Sequence, residues 1–115
     1  MDAVAAAPNV YRILFENDRV RVLEFLAKPG DRTPRHSHPT HFGIALESGT
    51  VRFTLSDGSS QDARLEPGTV VWLDAQSHEV ENVGSSSMRA IVVELKDGES
   101  GAPIRQRVRK KSVRK

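Results

Sequence analysis

Val51-Arg52-Phe53-Thr54-Leu55-Ser56-Asp57-Gly58 alternates apolar and polar side chains and then stops on a turn pair. Successive side chains of a strand point to opposite faces, so Val51, Phe53 and Leu55 face a core while Arg52, Thr54 and Ser56 face water. Asp57-Gly58 after such a run is a hairpin signal, because both residues tolerate the backbone twist a tight β-turn needs. The flanking chain repeats this layout. Turn signals fall at Glu16-Asn17-Asp18, Pro29-Gly30, Glu47-Ser48-Gly49, Pro67-Gly68, Asp74-Ala75-Gln76 and Gly84-Ser85-Ser86. Between them, residues 11–15, 19–28, 69–73, 78–82 and 88–96 are short runs rich in Val, Ile, Leu and Phe. Alternation shifts phase inside Val20-Arg21-Val22-Leu23-Glu24-Phe25-Leu26, which predicts a strand covered on both faces or a bulge. No window holds a 3.6-residue apolar period. The pattern predicts an all-β, single-domain antiparallel β-sandwich barrel of jelly-roll type, with about eight or nine strands.

The 115 residues make one domain. No run is long and apolar enough for a transmembrane helix, and the first residues lack the basic and apolar regions of a signal peptide. The absence of cysteine excludes disulfides, thiolate ligands and thiol catalysis, and fits a cytoplasmic protein. All 15 acidic residues lie at or before Glu99, whereas seven of the 17 Lys and Arg lie between Arg105 and Lys115. Residues 1–104 therefore carry a net charge of −5 and the tail +7. That division predicts a flexible arm at 1–9, a β-domain at 10–97 and a basic, disordered tail at 98–115. An acidic body, with no aromatic in the basic tail, predicts no specific nucleic-acid partner and no membrane partner. Phosphate-loop, dinucleotide and serine-hydrolase motifs are all missing.

The chain has four histidines, His36, His38, His41 and His78. On an extended strand His36 and His38 share a face, since the side-chain period is two. Two imidazoles on one face, joined by a third from another strand, build a three-nitrogen site with open positions for a divalent transition metal. The competing reading is a pair of solvated strand histidines with His78 unrelated.

Pro29-Gly30, five residues, then His36-Ser37-His38-Pro39, then Leu46-Glu47-Ser48-Gly49, Pro67-Gly68 and His78-Glu79-Val80-Glu81-Asn82 resemble the two signature motifs of the cupin family. The resemblance covers roughly Val20 to Lys96, and the whole looks like a small single-domain bacterial cupin. It implies a double-stranded β-helix fold, a homodimer and His36, His38 and His78 as metal ligands. The family's motif glutamate falls, counted back from Gly49, on Phe42. A three-histidine centre results, with His41 or a water as a possible replacement ligand and iron, zinc, nickel or manganese as the metal. The implied function is that of a metal-dependent dioxygenase, isomerase or lyase acting on a small anionic organic molecule inside the barrel. The alternatives are a non-catalytic module that binds a metal or small ligand, and a metal-free enzyme using a histidine base.

Around such a centre, Phe42, Ile44, Phe53 and Trp72 are the expected pocket-lining residues. Arg52 and Arg64, on neighbouring strands, are candidates to meet a substrate carboxylate. Asn82 is read as a hydrogen-bonding support for a ligand or as a loop cap, and Gly30, Gly49 and Gly68 as turn residues needing positive φ. The strand near Val10 to Leu14 is expected to pair or swap with a second copy.

Overall fold

A computed structural model describes residues 1–96; the basic tail read at 98–115 lies outside the described residues. Among the described residues no helix is long and apolar enough to cross a membrane. Among the described residues nine strands form: β1 Tyr11–Glu16, β2 Val20–Ala27, β3 His36–His38, β4 His41–Ala45, β5 Gly49–Leu55, β6 Ser60–Leu65, β7 Val70–Leu73, β8 Gln76–Asn82 and β9 Met88–Leu95. They build two antiparallel sheets, ordered β1-β2-β9-β4-β7 and β3-β8-β5-β6. The sheets face one another across a common core and do not close into one ladder, so the barrel is an open sandwich.

The hairpin predicted at Asp57-Gly58 joins β5 to β6, with Val51 opposite Ala63 and Phe53 opposite Gln61. Gly58 adopts φ 89°, and its N–H donates to the Leu55 carbonyl. The phase shift read in residues 20–26 reflects a strand covered on both faces, with Leu23, Phe25 and Ala27 buried on one and Val20 and Val22 half-buried on the other. β2 pairs without interruption against β9, while β1 carries an extra residue between Ile13 and Phe15. Leu23, Phe25 and Ala27 thus stay on the inner face, buried with Val51, Val80 and Met88.

Two expectations are corrected here. Residues 1–9 are not a loose arm: Ala3–Ala6 form a short helix, α1, and Ala3 and Ala7 are fully buried. Asp2 caps the helix by accepting from the Val4 and Ala5 amides, and the Met1 carbonyl accepts from the Ser37 amide at 2.7 Å. Gly49, unlike Gly30 and Gly68, needs no positive φ. A Cβ there would sit 2.8 Å from the Met88 sulfur, so glycine is required for close approach of β5 to Met88.

Candidate metal centre

On β3 the pattern buried–exposed–buried places His36 and His38 inward and Ser37 outward. β3 pairs with β8 in a register that sets His36 directly opposite His78. Three imidazoles therefore share the inner face of the four-stranded sheet. One ligand atom from each lies within 4.8 Å of the other two, a spread that modest closure reduces to a common coordination sphere.

Pro39 and Thr40 then carry the chain across to the other sheet, where His41 opens β4 opposite Glu94 of β9. This crossing resets the parity. Inward from β4 point His41, Gly43 and Ala45, which line the cavity; Phe42 and Ile44 fall on the outer face. Phe42 stacks on Trp72, its outward cross-strand partner, at 6.0 Å between ring centroids. Of the expected pocket residues only Phe53 lines the cavity; Phe42, Ile44 and Trp72 do not. Counting back from Gly49 misplaced the ligand position because the bend at 46–48 breaks the strand pattern between β4 and β5. The inward residue beside the cluster is His41, whose ring stacks on His38 at 4.3 Å.

Every one of these histidines is tied at Nδ1. His36 donates to the Pro34 carbonyl at 2.9 Å, His41 to the Pro39 carbonyl at 2.8 Å and His78 to Gln76 Oε1 at 2.9 Å. His38 donates to Glu94 Oε2 at 2.6 Å. Since all four partners are oxygen acceptors, the proton sits on Nδ1 and the lone pair on Nε2. His78 Nε2 is buried without any hydrogen-bond partner. An orphaned buried acceptor among converging lone pairs is costly, and a divalent cation is what such a donor set satisfies. The residues present thus fit a metal ion.

Protonation does not compete near neutrality. Burial, with the neighbouring His38 as second cause, pushes His78 down to about 3 and His41 to about 4. Burial also lowers His36. Glu94 is only 3% exposed. Burial alone would raise its carboxyl, but hydrogen bonds from His38 and Arg21, with the Arg21 charge, hold it below the ordinary carboxylate range. Arg21 donates to Glu94 Oε1 at 2.9 Å and also pairs with Asp2, so the N-terminal cap connects to the histidine cluster through two ion pairs.

Beside the cluster lies a cavity enclosing about 570 Å³ of empty space, its open mouth included. Phe25, Phe53, Leu65, Met88 and Val92 supply its apolar walls, and Tyr11, His38, His41 and His78 its polar atoms. Arg52 and Arg64 are absent from the lining; they are exposed and pair with Asp62 and Glu66. Asn82 caps a loop, donating to the Ala27 and Ser86 carbonyls and accepting from the Gly84 amide.

Glu94, Arg21 and Tyr11 escaped the sequence reading. A signal for Glu94 existed: it follows Ala90 and Val92 at the spacing of one strand face, an acid on an otherwise apolar row.

An antiparallel double sheet with an inward histidine cluster at one end defines the class. The chain belongs to the cupin family, whose domain model, described as "Cupin domain", matches residues 23–94. No curated protein matches the sequence. Among solved structures, a cupin domain from Bordetella pertussis Tohama I is 22% identical, with a TM-score of 0.69 over 76% of this chain and 92% of that one. An RmlC-like cupin from Methanocaldococcus jannaschii is 18% identical, with a TM-score of 0.65 over 79% and 83%. The polyketide cyclase RemF from Streptomyces resistomycificus is 25% identical, with a TM-score of 0.57 over 75% and 63%.

Proposed function

We propose that this cupin is a metal-dependent enzyme acting on a small organic molecule with an anionic oxygen head and an apolar body. The observation that carries the reading is the set of inward Nε2 lone pairs, led by the orphaned His78 Nε2, at the edge of an apolar cavity. His36, His38 and His78 would hold the ion, with His41 adding a nitrogen from the facing sheet. Bound there, a divalent metal supplies Lewis-acid polarisation of a carbonyl or enolate oxygen, or redox chemistry if it is iron. The imidazole ligands are neutral and the Glu94 carboxylate behind His38 is shared with Arg21, so the ion keeps charge that favours an anionic oxygen donor. Among the described residues the walls offer no cation for a second acidic group, in keeping with a single anionic head. A polyketide cyclase among the similar folds supports an enzymatic role. The apolar side chains exclude water and seat the hydrocarbon part.

Elemental analysis of the untagged protein tests this. About one transition-metal ion per chain is expected, lost in the His36→Ala/His38→Ala variant while the circular dichroism stays that of a β-sandwich. A wild-type protein that neither carries metal nor takes up zinc, nickel, manganese or iron(II) would overturn it.

We also propose a homodimer, formed through the outer face of the five-stranded sheet. There Phe15, Val22, Val93, Phe42 and Trp72 are successive cross-strand partners, an apolar row that spans all five strands. Phe15 at its end is 54% exposed. Sedimentation should show a dimer that Trp72→Glu converts to monomer; a wild-type monomer at all concentrations would refute the interface.

A further inference from the structure

Tyr11, the only tyrosine of the chain, opens β1 and turns its ring inward over β3. It is 3% exposed, packed edge-on against His36 at 5.2 Å and His38 at 5.6 Å, and tilted against Phe25 at 5.4 Å. Its hydroxyl lies 3.4 Å from His36 Nε2. Because His36 Nδ1–H is committed to the Pro34 carbonyl, Nε2 carries the lone pair and the phenol must be the donor.

That single lone pair has two claimants. It is the acceptor for Tyr11 and also the atom that His36 would offer to a metal, and an imidazole nitrogen serves one partner at a time. When it goes to a metal, Tyr11 keeps a buried O–H among imidazole rings and Phe25, within reach of the Glu94 charge, whose two oxygens are already engaged by His38 and Arg21. A phenol is protonated near neutrality, so it stays a donor. A buried donor without an acceptor is unfavourable, and Tyr11 lines the cavity.

We propose that the Tyr11 hydroxyl, released from His36 by metal loading, is a specificity-determining donor that selects small molecules presenting an oxyanion, an enolate or a carboxylate, beside the histidine cluster. The inference rests on the metal reading above and deepens it. Oxygen accepts such a bond well and sulfur poorly, so Tyr11 discriminates between ligands of similar size that reach the same place through oxygen or sulfur. The empty cavity and the loaded one differ in which acceptor the phenol uses.

The test uses zinc, which is spectroscopically silent, with acetylacetone and ethanethiol as probes. Tyr11→Phe removes the hydroxyl and keeps the ring that packs on His36, His38 and Phe25. Zinc should bind both proteins, and in the wild type it should perturb the near-ultraviolet tyrosine band as the phenol loses its imidazole acceptor. Trp72, on the outer face, is remote from this change. Acetylacetone should perturb the band again and bind Tyr11→Phe about 10–150-fold more weakly, the size of one hydrogen bond to a charged acceptor. Ethanethiol should bind both proteins equally. Equal acetylacetone affinities, or a tyrosine band in the wild type unmoved by acetylacetone that binds, would overturn the proposal. Failure of zinc to bind the wild type would instead overturn the metal reading. If Tyr11→Phe does not fold, the band measurements on the wild type decide alone.

Discussion

Glu94 shows how much one side chain can fix. Its two oxygens receive His38 Nδ1 and Arg21 Nε, so it sets the tautomer and the aim of His38 from a position nearly sealed from water. Glu94→Gln keeps the shape and removes the charge. It should weaken zinc affinity by about 10–100-fold, as loss of a carboxylate behind a metal-binding histidine does. Chelator competition measures this, and an unchanged affinity would mean that His38 is not a ligand. His41 and Phe42 make a second pair. His41→Ala should lower metal affinity, because it deletes an inward Nε2 beside His38. Phe42→Glu should leave metal affinity alone, because Phe42 stacks on Trp72 on the other side of the sheet. A tighter metal in Phe42→Glu would put position 42 inside after all. The histidine pair at 36 and 38 was legible because it lies within one strand, where a period of two holds. Position 41 was not, because Pro39 and Thr40 cross between sheets and local parity does not survive a crossing.

At the scale of elements, the least legible piece was the N-terminus. Met1 to Pro8 is alanine-rich and too short to hold a helix alone, so the sequence reads as a loose arm. What orders it is tertiary. Ala3 and Ala7 are small enough to be buried where α1 meets β1 and β3, and Asp2 both caps α1 and pairs with Arg21. Asp2→Ala should therefore cost about 0.5–2 kcal/mol, the usual loss on removing such a cap, read as a lower urea midpoint. It should also weaken zinc binding slightly, since Arg21 would lose one of the two carboxylates that position it behind Glu94. Full stability in Asp2→Ala would show that the buried alanines alone hold the segment. The strands read from the sequence fall within about two residues of their observed bounds, because alternation and turn chemistry act locally, while β4 and β6 were given no bounds. The β1 bulge was not legible, since a register shift is a property of a pair.

For the whole molecule, the site is built where stability has been given up. Three histidines are held neutral in the folded protein, with His78 near 3 and His41 near 4 against an ordinary 6.5, and His36 also lowered. In the unfolded chain they titrate normally. Between about pH 6.5 and pH 4 the unfolded state therefore binds protons that the native state refuses. Stability must rise with pH across that window. The histidine contribution is fully present above about 6.5 and is lost as pH falls toward the folded values, with a slope near 1.4 kcal/mol per pH unit for each histidine. Glu94, lowered from 4.5, adds its own loss only at more acid pH. Urea unfolding of chelator-treated protein from pH 8 to pH 5 should thus show a flat region and then a steep decline below about 6.5. Zinc should raise stability most above that pH, because its ligands must be unprotonated. His78→Gln should flatten the decline by about one proton. A metal-free protein equally stable at pH 7 and pH 5 would mean that the histidines are not held neutral, and the free Nε2 cluster that underlies the metal reading would lose its basis.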